Sequence, residues 1–109
     1  MTEALETIDR IAKAGESATV EFKAGLADAR KLAETAAGMA TVGGGKIYLG
    51  ITDAGHVKGT VVGKGEIERL VQQMNASVEP RVYIDIERVE VIPGREVIVG
   101  HVPGGEGPP

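Results

Sequence analysis

The hydrophobic period of this chain switches repeatedly between that of a helix and that of a strand, and the order of the switches constrains the fold more than any other feature. Leu5, Ile8, Ile11 and Ala12 recur at helical spacing within Thr2 to Ala14, and Gly15 supplies a stop. "SATVEF" then reads as a strand, with Val20 and Phe22 on one face and Glu21 and Lys23 on the other. From about Leu26 to Ala40 an alanine-rich run places Leu32, Ala36 and Met39 on one helical face, small enough to pack closely on a sheet. "KIYLGIT" alternates through Ile47, Leu49 and Ile51, and "DAGH" turns the chain into "VKG", which predicts a hairpin. Ile67, Leu70, Val71 and Met74 form the cleanest helical pattern, over Glu66 to Asn75. "EPRVYIDIERVEV" alternates through Val82, Ile84 and Ile86 and changes phase at Val89 and Val91, which predicts a bulge or bend near Arg88. "IPGRE" then turns into the strand "VIVGHV", its antiparallel partner.

Helix, strand, helix, strand pair, helix, strand pair predicts an α+β (mixed α/β) domain: a mixed, mostly antiparallel sheet with about three helices packed on it. One domain is expected over residues 1–103, with a Gly/Pro-rich tail over 104–109. No internal repeat is visible.

Composition narrows the function. With no cysteine there is no disulfide, thiolate metal site or cysteine nucleophile, as suits a cytosolic chain. His56 and His101 do not form a ligand spacing. No apolar run approaches the roughly 20 residues of a membrane span, and "MTEALETIDR" is acidic where a signal peptide is basic. The expectation is a soluble, cytoplasmic protein with no membrane partner. A net charge of −4 argues against avid, sequence-independent binding to a polyanion, unless a basic stripe, a divalent cation or a partner subunit reverses the local field. Phe22, Tyr48 and Tyr83 are the whole aromatic set, which argues against a stacking platform for single-stranded bases.

"GGGK" invites a phosphate-loop reading, but its spacing rejects it: a strand, not a helix, follows Lys46, and no Ser or Thr comes next. A flexible helix-to-strand connection is the expected role, with ATP hydrolysis disfavoured. The acidic set says more. Glu21 and Lys23 share a strand face, Glu16 stands just before them, and Asp53 follows the strand Ile47 to Thr52. If those strands are neighbours, three carboxylates and a lysine converge. Oxygen ligands without histidine or cysteine suit Mg²⁺ or Mn²⁺, which polarises a phosphodiester or activates water while Lys23 steadies negative charge. The same residues have a structural reading: a solvated Glu21–Lys23 pair worth less than about 1 kcal/mol, and "DAG" as an ordinary turn. His101 is expected to be a packed or edge histidine, and Lys58, Lys64, Arg69 and Arg81 solvated surface.

Taken in order, "ESATVEFK", "AGMATVGGGKIYLGITDAGHVKG", a helix ending before "EP", and "REVIVGHVPGG" resemble the Schlafen/AlbA-type DNA-binding domain family. The resemblance runs through nearly the whole chain after Gly15. It implies a mixed α/β module associated with nucleic acid, RNA or DNA. In some Schlafen members it implies a divalent-metal-dependent endoribonuclease acting on structured RNA such as tRNA. By position, Glu16, Glu21 and Asp53 would be the metal ligands, with Lys23 completing the catalytic set. A non-catalytic DNA-binding or self-assembling regulatory module is the alternative. Three departures stand out: Thr41 occupies a position usually held by asparagine, a further edge strand is missing after Val-Pro, and the active relatives carry two copies of the domain where this chain has one. A homo-oligomer is therefore expected.

Overall fold

The computed structural model describes residues 2–26, 28–77 and 83–104. Helix α1 spans Glu3–Ala14. It starts where the Thr2 hydroxyl accepts the Leu5 amide (3.1 Å), and it ends at Gly15, whose φ of 89° turns the chain out of the helix. Helix α2, Ala29–Thr41, is capped by Asp28, whose carboxylate accepts the amides of Arg30 and Lys31 at 2.9 and 3.1 Å. Helix α3 spans Glu66–Ser77.

Four strands, β1 (Val20–Lys23), β2 (Gly45–Leu49), β3 (Asp85–Ile92) and β4 (Arg95–Val102), form one sheet in the order β1-β2-β4-β3. β1 and β2 are parallel, with α2 as the crossover, and the other pairs are antiparallel. The domain is α+β, as its element order implies.

Each face of the sheet carries its own apolar cluster. On one, Ile47, Leu49, Ile98 and Val102 pack under α2 and α3 with Leu32, Ala36, Ile67 and Met74. On the other, Phe22, Tyr48, Val89, Val97 and Val99 pack under α1 with Ile8 and Ala12. Phe22 and Tyr48 meet edge to face, with centroids 6.1 Å apart and planes at 81°.

This two-faced core corrects the expected bulge near Arg88. Arg88 stays in register with Ile98, and the register shifts later, between Glu90 and Ile92. The apolar phase changes because coverage changes. Ile84 packs on the α2–α3 side, whereas Val89 and Val91 pack on the α1 side. Val82 and the "EPRV" segment lie outside the described residues. The expected hairpin after β2 shrinks to one bridge, Ile51 to Val57, closed by the Thr52 amide donating to the His56 carbonyl at 2.9 Å.

Nor is "GGGK" a flexible connection. A Cβ at Gly44 would lie 2.5 Å from the Val102 carbonyl oxygen, and one at Gly45 would lie 2.8 Å from both the Thr19 carbonyl oxygen and the Met39 sulfur. Glycine is needed here because three stretches of backbone meet. Gly104 packs on the Gly43 backbone, and residues 105–109 lie outside the described residues.

Candidate functional site

The segment from Glu16 to Lys23 builds β1 and its approach. Ser17 and Val20 exchange backbone hydrogen bonds across a tight turn, and the Ser17 hydroxyl accepts the Thr19 amide at 3.2 Å. β1 is an edge strand, so every second amide faces away from β2. Glu16 satisfies one of these: its Oε1 accepts the Phe22 amide at 2.8 Å. The side chains of Glu21 and Lys23 leave the same side of β1, the side opposite buried Phe22, and Lys23 Nζ lies 3.5 Å from Glu21 Oε2. Both are about one-third exposed, so the pair is a weak, solvated one.

Asp53 stands exposed in the turn from Thr52 to His56. That turn is held by the Thr52 hydroxyl, which accepts the His56 amide at 3.0 Å, and by the Gly55 amide donating to the Thr52 carbonyl at 2.9 Å. It lies close against α1: a Cβ at Gly55 would be 2.5 Å from the Ala12 carbonyl oxygen. β1 and β2 are neighbours, as the convergence of the acids requires. Yet among the described residues no group of three or more His, Asp or Glu side chains is disposed to hold a metal ion. Glu21 leaves β1 on the face away from α1, whereas the Asp53 turn packs against α1, so the three acids do not form a ready divalent-metal site among the described residues, and no catalytic step is derived through one.

Thr41, at the asparagine position, donates its hydroxyl to the Gly38 carbonyl at 2.7 Å and so closes the end of α2. Lys58, Lys64 and Arg69 are exposed, as expected of solvated surface, and Arg81 lies outside the described residues.

His101 is neither an edge residue nor unoriented. It sits half-buried on β4, inside the sheet, with Nε2 3.0 Å from Glu87 Oε1 on β3. The two are 14 residues apart in sequence, and only the β3–β4 register brings them together. Tyr48 belongs to the same neighbourhood. Burial, and secondarily the negative charge of Glu87, hold its phenol above its ordinary value.

Fold and first strand together define a small α+β sheet module with an acidic approach to a parallel edge pair. Residues 16–109 match the family described as Schlafen, AlbA_2, and the chain belongs to that family. No curated protein sequence matches it. No helix among the described residues is long and apolar enough to cross a membrane.

Proposed function

We propose that this chain is a nucleic-acid-binding module whose domain occupies residues 1–103. The observation that carries the reading is the family match, which begins at Glu16 and runs through the whole sheet. Binding by a chain of net charge −4 draws on local cations and is expected to be modest and strongly salt-dependent.

The finer activity implied by the Schlafen resemblance is Mg²⁺- or Mn²⁺-dependent cleavage of structured RNA such as tRNA. Its support is the sequence resemblance, by which Glu16, Glu21 and Asp53 would be the ligands and Lys23 would complete the set. Glu16 holds the Phe22 amide through Oε1 alone and Glu21 pairs loosely with Lys23, while among the described residues no group of three acids is disposed to hold an ion. Binding is therefore the primary reading.

The test is fluorescence anisotropy with labelled tRNA, single-stranded RNA and duplex DNA between about 50 and about 200 mM salt, where affinity should fall steeply. No binding of any of the three by folded protein at the lower salt overturns the reading. Incubating a tRNA pool with Mn²⁺, beside EDTA and Glu21→Gln controls, decides the finer one. Cutting lost in both controls supports cleavage, and intact RNA removes it.

A further inference from the structure

β3 ends the sheet, and the register of its neighbour tells which of its backbone groups are open. Thr60 and Glu96 exchange both backbone hydrogen bonds, at 2.7 and 2.9 Å, on the side of β4 away from β3. Alternation along β4 then turns the N–H and C=O groups of Val97, Val99 and His101 toward β3, where they meet Val89, Glu87 and Asp85. Ile86, Arg88 and Glu90 are left presenting theirs outward, as a template for a further strand. The charges of Asp85, Glu87, Arg88 and Glu90, and the register shift between Glu90 and Ile92, are the usual guards of such an edge. The order of those charges decides what can pass them.

If a second copy adds its own β3 antiparallel, opposed residues must lie on one face of the joined sheet, so the twofold axis falls on a residue. An axis on Glu87, Arg88 or Glu90 sets that charge against itself, and one on Ile86 sets Asp85 against Glu87. An axis on Val91 runs into the register shift and Pro93. Val89 alone gives complementary rows: Arg88 lies opposite Glu90 of the second copy on both sides of the axis, and Glu87 lies opposite Val91. Arg88 and Glu90 are also residues whose backbone groups face outward, so they form the hydrogen-bonded pairs. Val89 then takes the close, non-hydrogen-bonded position, with Cα atoms about 4.5 Å apart.

The side chains have the capacity this register asks for. Glu96 takes Nε and Nη2 of Arg88, which leaves Nη1 for a carboxylate on the next strand. Glu90 spends only Oε2, on a long 3.4 Å contact with the Gly94 amide. Each Ile86, 36% exposed, reaches the end of the other strand, where Ile92 is 51% exposed. The edge at β1 does not compete, being four residues long with its Phe22 amide already held by Glu16. We propose that the chain forms a twofold dimer by antiparallel β3–β3 pairing centred on Val89, joining two sheets into one of twice the width. The pairing needs no nucleic acid, so it stands or falls apart from the function proposed above.

Sedimentation equilibrium on the parent and two charge reversals tests it. Glu90→Arg sets arginine against Arg88, and Arg88→Glu sets glutamate against Glu90, so each variant alone should dissociate at least about tenfold more readily. Mixed in equal amounts, the two variants restore opposite charges at every pair and should dimerise with each other. The chain has no cysteine, so a single introduced one reports the axis. Val89→Cys should form an intermolecular disulfide under mild oxidation, because close antiparallel neighbours fall within disulfide reach, whereas Glu87→Cys on the same face should not. Circular dichroism checks each fold. If Arg88→Glu, which also loses the Glu96 contact, does not fold, Glu90→Arg and the two cysteine variants carry the test. A monomeric parent or a dimer indifferent to Glu90→Arg overturns the inference, and so does faster cross-linking at residue 87 than at residue 89.

Discussion

Glu16 shows how one side chain carries two readings. The resemblance would make it a metal ligand; in the structure it closes the open edge of β1 by accepting the Phe22 amide. Removing that acceptor should cost roughly 1.5 to 3 kcal/mol, the usual range for a hydrogen bond to a charged group. Glu16→Ala is therefore expected to lower the urea midpoint measurably, while Glu16→Gln, which keeps an amide oxygen, should retain most of the stability. Equal stability of the parent and Glu16→Ala would show the contact to be unimportant in solution. The sequence exposed Glu16, Glu21, Lys23 and Asp53 as a set, because they share a short strand and its neighbour. It could not show that Glu16 is engaged by a backbone amide six residues on. His101 escaped for a related reason: the carboxylate that orients it lies on another strand.

At the scale of elements, the glycine run and the β3–β4 pair make separate demands. Gly44 has a φ of 98° and no room for a Cβ beside Val102, whereas Gly43 has a φ of 101° and nothing within 4 Å of the same atom. Gly43→Ala should show the backbone cost alone, about 1 kcal/mol, and Gly44→Ala that cost plus a clash, for a total above about 2 kcal/mol. Thermal denaturation of the two variants side by side separates the contributions. On β3 and β4, Arg88 grips Glu96 with two hydrogen bonds of 2.8 Å, which hold the Glu96 carboxyl below its ordinary range. A depressed carboxyl stabilises the fold above its unfolded-state pKa, and that contribution is lost as pH falls through the folded-state value. Glu96→Gln should therefore flatten the acid limb of a stability profile run from about pH 7 to about pH 3. An unchanged limb would mean that the pair does not persist in solution.

Element type and order were legible because the period is clear and Gly15 marks a helix end; the apolar spacing starts α2 at about Leu26, and the structure moves that start to Ala29 because the Asp28 carboxylate caps the first turn. The phase change in β3 was legible as a fact but not as a cause. A strand whose two halves are covered on opposite faces looks, in one dimension, like a strand with an extra residue.

For the whole molecule, the two sheet edges differ. β1 is short and shielded by Glu16, whereas β3 is eight residues long with Ile86 and Ile92 exposed. The proposed self-association therefore runs through β3. Light scattering should report a dimer whose dissociation is promoted by Ile86→Lys; a monomer at all accessible concentrations would refute the pairing. Which strand ends outermost is decided by sheet order, and local pattern does not encode that order.

The sheet separates two apolar clusters that have no side chain in common. Thermal breathing of α1 therefore does not need to disturb the Leu32–Ile98 side: solvent can reach Tyr48 through a local opening that leaves the opposite half closed. Amide exchange along residues 3–14 should accordingly run ahead of exchange in α2.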